Sequence, residues 1–302
     1  MATHSIIIPT FNRPLLLRRA VMSAIAAAGP SGEVIVVDDG SQVPAKDALS
    51  DITFERLRFL RNATSLANGG SPSRNRGADA ADAAVLFFLD DDDEYLEGYC
   101  AAILSETVQS QAAFGFCARQ FATAKGGGMQ TLATEKRALR TGVIPAGAHF
   151  KEKTFPFSAG FWLTKDTFEM VGPMETSLST NSDTEYTCRL YASDIHGWYS
   201  QIPGVRIYAA AERPAGEAHN VTRRTQSCDR ADAFRYIAEK HADFLNVNPS
   251  AARFIYTRLA KHSMRAGRQG VALAAARKVS PWYARIPVYF HVATSLFKSR
   301  AE

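Results

Sequence analysis

The chain has 302 residues, 46% of them hydrophobic, and a formal net charge of +5. That content is enough to bury a full core, which excludes a disordered tail and suits one large domain or a domain with an appendage. The charge is uneven. Residues 251–302 hold ten Lys or Arg against one acid, a balance of +9, and the preceding 250 residues therefore carry about −4.

The N-terminus "MATHSIIIPTFNRP" lacks a basic stretch followed by a long apolar one, and no window reaches eighteen uninterrupted apolar residues. Neither export nor membrane spanning is expected, so the expected location is cytoplasmic. Cys100, Cys117, Cys188 and Cys228 lie far apart without a CxxC pair, which predicts reduced structural thiols.

The first element is "SIIIPTF", a short β-branched run. In "NRPLLLRRAVMSAIAAA" apolar residues then recur at helical spacing, starting beside Pro14, where a helix tolerates proline. "EVIVVDDGS" reads as a second buried strand and "LRFLRN" as a third. "SRNRGADAADA" reads as a helix, and "AVLFFLDDDD" as a fourth strand. Strands alternating with helices predict an α/β fold with a mostly parallel sheet flanked by helices, whose ligands bind at the carboxyl ends of the strands.

Three of these strands end in polar groups: "IPTFNR", "VVDDGS" and "FLDDDD". Taken alone, Asp38-Asp39-Gly40-Ser41 is also a turn with Asx chemistry. Carboxylates closing two strands of one parallel sheet meet on one rim. There, one acidic pair can accept hydrogen bonds from a base or ribose, and the other can hold Mg²⁺ or Mn²⁺ through oxygen ligands. No GxxxxGK[ST] occurs, and "AKGGGMQ" reads as a turn, which excludes a Walker-type phosphate loop.

In their order, "SIIIPTFNRPLLLRRAVMSA", "EVIVVDDGS", "NGGSPSRNRGADAADAAVLFFLDDDD" and "NSDTEYTCRL" resemble the signatures of the family 2 glycosyltransferases, over roughly residues 3 to 225. The resemblance implies a Rossmann-like GT-A fold, a nucleoside-diphosphate sugar donor, UDP-linked above all, and a divalent metal, Mn²⁺ or Mg²⁺. It also implies transfer with inversion to a hydroxyl of a glycan or lipid-linked acceptor. Residues 1–227 would form the catalytic domain, with 1–98 as the nucleotide-sugar half and 99–227 as the acceptor half, and 228–302 a basic helical region.

By the same resemblance, Asp39 matches the position that reads the base, and Pro9, Thr10 and Arg13 the loop bordering the nucleotide. Arg74 matches a basic residue near the diphosphate, with a solvated helix face as the alternative for Arg74 and Arg76. Asp90, Asp91 and Asp92 fit the metal motif, with Asp92 the metal ligand and Asp91 on the ribose; Asp93 leaves the register open by one. His219 fits a histidine that approaches the diphosphate or metal, and a surface loop histidine is its alternative. Asp183 matches the base that removes the acceptor proton. Ser182 stands where a first acid is common, which leaves Glu185 as a rival base. Trp162 would stack on an acceptor sugar or belong to the core.

Trp282, Tyr283, Tyr289, Phe290 and Phe297, interleaved with Arg and Lys, suit a peripheral contact with an anionic membrane surface or packing on the catalytic domain. No nucleic-acid motif accompanies the basic tail. The rival to an enzyme is a catalytically silent relative that binds nucleotide or membrane through these surfaces.

Overall fold

The computed structural model describes residues 2–63, 70–110, 112–125, 128–208 and 225–279. The chain forms two compact units.

The first unit draws on Met1–Ala148, Phe155–Thr176 and Ser193–Ala218. Its strands are β1 (His4–Thr10), β2 (Gly32–Asp38), β3 (Leu57–Arg61), β4 (Val85–Phe88), β5 (Glu94–Tyr95), β6 (Phe114–Lys125), β7 (Gly128–Thr134), β8 (Gly142–Val143), β9 (Trp162–Thr164) and β10 (Gly197–Tyr208). They join in one sheet, in the order β3-β2-β1-β4-β9-β6-β10-β5, with β7 on β6 and β8 on β10. Strands β3, β2, β1 and β4 run parallel, and β9 runs antiparallel to both β4 and β6. The four expected strands thus form the parallel half. The antiparallel β9 joins them to the long β6–β10 pair, which local sequence pattern did not predict.

Ile6, Ile7 and Ile8 of β1 and Val34 to Val37 of β2 are wholly buried, as continuous apolar runs in a sheet covered on both faces require. Helix α1 (Pro14–Ala28) starts on a proline at its first turn and buries Leu17, Ala20, Val21 and Ala24, the i, i+3, i+4, i+7 face its sequence shows. Helix α2 is the short Ala45–Ala48. Helix α3 (Ser71–Ala80) covers the other face through Gly77, where an added methyl would stand 2.4 Å from Ile7 Cγ2 and 3.2 Å from Val37 Cγ2. Only glycine lets this helix lie so close to β1 and β2. Helices α4 (Tyr99–Ser110), then α5 (Phe150–Lys153) of the second unit, and α6 (Lys165–Val171) follow in the chain.

The second unit comprises His149–Thr154, Ser177–Ala192 and the chain from His219. It holds α5, α7 (Ser182–Ala192), α8 (Ser227–Lys240), α9 (Ala242–Val247), α10 (Pro249–Arg265) and α11 (Gln269–Arg277). Phe150, Cys188, Phe234, Ile237, Ile255, Leu259 and Ala276 make its core. Among the described residues no helix is long and apolar enough to cross a membrane.

Cys100, Cys117 and Cys188 are buried free thiols and Cys228 is half-buried and free. Burial pushes the Cys117 thiol up to about 12, which keeps it protonated and inert.

Candidate active site

The parallel register brings the three polar strand ends together, since Thr10 lies opposite Asp38, and Ile7 lies opposite Phe88, the last residue of β4 before the four acids. Adjacent acids at the end of β2 then take different roles. Asp38 is buried and accepts hydrogen bonds from the backbone N–H of Ser41 (2.8 Å) and Ala45 (3.0 Å) and from Arg61 Nη1 (2.7 Å), so it shapes the turn. Asp39 follows on that rim. Its N–H donates to the Thr10 carbonyl at 2.9 Å, and its Oδ1 accepts from Asn62 Nδ2 at 2.7 Å.

The four acids after β4 also divide by direction. Asp91 is 4% exposed and accepts from Thr10 Oγ1 at 2.8 Å and from Arg13 Nη1 at 2.6 Å. Burial, only partly offset by the Arg13 charge, raises its carboxyl to about 6. Asp91, expected at the ribose, thus ties the β4 end to the β1 loop. Pro9 lies within β1, opposite Val37.

Asp90, Asp92 and Asp93 each offer a carboxylate oxygen to one cluster whose atoms lie within 4.8 Å of one another. Burial and the charges of Asp92, Asp90 and Asp91 push the Asp93 carboxyl well up. Such a group gains from added positive charge.

Three guanidinium groups face these acids. Besides its bond to Asp91, Arg13 lies 3.6 Å from Asp92. Arg74, 6% exposed on α3, pairs with Asp90 and lies 5.0 Å from the Phe157 ring centroid. Its place depends on Gly70, the helix cap at φ 81°, where an added methyl would come within 2.8 Å of Arg74 Nη1. The solvated-face alternative therefore fails for Arg74. Arg76 instead donates to the Arg61 carbonyl at 2.7 Å and also pairs with Asn62.

The third guanidinium, Arg19, was not expected. It donates to the Asp92 carbonyl at 2.7 Å, lies 3.3 Å from Glu94, and stacks 3.6 Å from the Tyr208 ring centroid. Arg19 follows Arg18 in α1, and only the fold separates them, since Arg18 pairs with the exposed Asp51.

The donor set fits a hard divalent cation, because carboxylate oxygens are its preferred ligands. Asp90, Asp92 and Asp93 would hold such an ion, which would supply positive charge beside the strand ends. Four acids against three guanidiniums also leave room for positive charge.

In the second unit, Asp183 and Glu185 occupy the first turn of α7. Asp183 is half-buried, and its Oδ1 accepts from the Thr184 N–H at 2.6 Å. Glu185 is 0% exposed. Its Oε2 accepts from Arg189 Nη2 at 2.9 Å, and its Oε1 lies 3.0 Å from both Lys240 Nζ and His241 Nε2. Burial alone would raise this carboxyl, but the His241 hydrogen bond and the Arg189 charge hold it below the ordinary range. Arg189, Lys240 and His241 thus enclose the Glu185 carboxylate.

Trp162 is 0% exposed and packs against Gly115, where an added methyl would meet the indole at 2.6 Å. The core alternative holds for it. His219, Arg223, Arg224 and the aromatic residues after Val279 lie outside the described residues.

The model of the family described as glycosyl transferase family 2 matches residues 5–168, which hold Arg13, Asp39, Arg74 and the four acids after β4. The chain belongs to that family. The GalNAc(5)-diNAcBac-PP-undecaprenol beta-1,3-glucosyltransferase of Campylobacter jejuni is 33% identical over 120 residues, 39% of this chain and 38% of that relative. The succinoglycan biosynthesis protein ExoW of Rhizobium meliloti is 36% identical over 100 residues, 31% of this chain and 30% of the relative. The chain thus spans well under half the length of these curated relatives. S. aureus TarS 1–349, solved in complex with UDP-GlcNAc, superposes with a TM-score of 0.68 at 15% identity, covering 98% of this chain and 88% of that one. The fold is the GT-A type.

Proposed function

We propose that this family 2 glycosyltransferase moves a sugar from a UDP-sugar to a hydroxyl of a glycan or lipid-linked acceptor, with inversion, assisted by Mn²⁺ or Mg²⁺. The observation that carries the reading is the convergence of Asp39, Arg13, Arg74 and the Asp90–Asp92–Asp93 cluster on one strand-end rim. The UDP-GlcNAc complex of the structural neighbour supports the donor class, and the PP-undecaprenol in the C. jejuni relative's name supports the acceptor class.

Asp39 accepts hydrogen bonds from the base, beside the backbone of Pro9 and Thr10. Arg74 leaves Asp90 for the diphosphate, where its fork suits phosphate oxygens. Asp92, with Asp90 and Asp93, would hold the divalent cation. When bound, the cation offsets the charge that gathers on the departing diphosphate. Asp91 keeps Arg13 and Thr10 in register rather than meeting the ribose. Asp183 takes the proton of the acceptor hydroxyl, and Glu185 holds α7 in place.

Residues 1–98 serve the donor, 99–227 the acceptor and base, and 228–302 form the basic region that brings the chain to the cytoplasmic face of a membrane. A panel of UDP-, GDP- and dTDP-sugars with Mn²⁺, read as nucleotide release, tests the reading. Selective turnover of UDP-sugars supports it; tight donor binding with no release on any acceptor would favour a silent relative.

A further inference from the structure

In the second unit, several cations find acids. Arg189 and Lys240 pair with Glu185, and Arg235 and Arg268 pair with Asp232. Helix α10 offers its own cations no acid. It is 17 residues long without a single acid, and Arg258, Lys261, His262 and Arg265 follow one another at i, i+3, i+4 and i+7. These spacings stack like charges on one face, which weakens a helix unless something offsets the repulsion.

No carboxylate among the described residues pairs with Arg258, Lys261 or Arg265. Arg258 is half-buried, lies 3.3 Å from the Phe254 ring centroid, and donates at 3.4 Å to the Phe254 carbonyl. The ring gives this guanidinium a cation–π contact, which leaves its charge without a counter-ion among the described residues. The His262 ring stacks on Phe234 of α8, with centroids 5.8 Å apart and planes at 6°, and its buried Nδ1 finds no hydrogen-bond partner among the described residues. Burial first, and then the charges of Arg230, Lys261, Arg265 and Arg258, lower His262 to about 4.

We infer that Arg258, Lys261, His262 and Arg265 of α10 form a binding site for a phosphate-bearing anion. Guanidinium forks match phosphate oxygens in pairs, and Lys261 adds a mobile point charge. None of these residues belongs to the donor site, so the inference stands apart from the donor reading. The phosphate belongs either to a soluble ligand or to a lipid headgroup, and the two arms of the test separate these sources.

The full chain, labelled at histidine and kept in EDTA, is titrated with inorganic pyrophosphate while the His262 ring resonance, assigned with His262→Gln, is followed by NMR. In parallel, co-sedimentation is measured with phosphatidate-containing and pure phosphatidylcholine vesicles. A soluble ligand predicts saturable movement of the His262 resonance, with its protonation midpoint rising by about one unit or more. A lipid source predicts sedimentation with phosphatidate vesicles alone. In either case Lys261→Gln and Arg265→Gln, both outside the helical core, should each weaken binding about fivefold. The inference is overturned if neither probe binds, or if Lys261→Gln and Arg265→Gln each bind the probe as well as the unaltered chain.

Discussion

Replacing Glu185 by Gln separates a structural carboxylate from a catalytic one. The substitution keeps the shape and removes the charge that Arg189, Lys240 and His241 surround. Breaking a buried ion pair from one side typically destabilises by about 3–5 kcal/mol. Here the side chains of Arg189 and Lys240 are 18% and 34% exposed, so water can take up part of what they lose, and the lower end, about 3 kcal/mol, applies. For a chain of 302 residues, at about 2.1 cal/mol/K of unfolding entropy each, that corresponds to a fall in Tm of roughly 5 °C.

The effect also depends on pH. The Glu185 carboxyl is held below its ordinary value in the folded chain, so its contribution is fully present above the unfolded value and is lost as pH falls through the folded one. Thermal unfolding of the wild type and of Glu185→Gln at neutral pH and near pH 3.5 should therefore show a large gap that narrows in acid. An unchanged Tm combined with abolished transfer would refute this reasoning and make Glu185 the base.

Asp183→Asn should reduce transfer by about 10²–10⁴-fold while UDP-sugar affinity stays near wild type; normal transfer would remove Asp183 as the base. Gly70→Ala places a side chain at φ 81° and against Arg74, so it should destabilise by about 1–2 kcal/mol and weaken donor binding, as followed by urea unfolding and donor titration. Trp162→Ala should destabilise by about 3–5 kcal/mol as a core truncation. A stable Trp162→Ala protein with weakened acceptor binding would instead restore the sugar-stacking role.

The parallel half of the sheet was legible because β1, β2 and β4 are short apolar runs bounded by Pro, Asp and Gly, with α1 and α3 between them. The β6–β10 pair was not, because "FGFCARQFATAK" and "GWYSQIPGVRIY" mix polar and apolar residues and make pairs across 80 or more positions, such as Phe114 with Gly197. Within the site, residue types were readable and directions were not. In a run of four acids the pleat and the turn after β4 decide that Asp91 faces inward to Arg13 and Thr10, and no periodicity announces it. Arg19 looked like one of two equivalent arginines in α1, although only it reaches the acidic loop. The i, i+4 spacing of Glu185 and Arg189 was a local hint of a structural pair. The other partners, Lys240 and His241, lie more than fifty residues away and needed the fold.

The central claim is that the acids after β4 hold a divalent cation that makes UDP-sugar binding and transfer possible. Calorimetric titration of UDP into wild type and Asp92→Asn, with Mn²⁺ and with EDTA, tests it most directly. Wild type should bind UDP at least tenfold more tightly with Mn²⁺ than with EDTA, a gap of about 1.4 kcal/mol, and Asp92→Asn should lose that gap while unfolding at the wild-type temperature. Equal UDP affinity with and without Mn²⁺ in the wild type, or an undiminished Mn²⁺ effect in Asp92→Asn, would contradict the account.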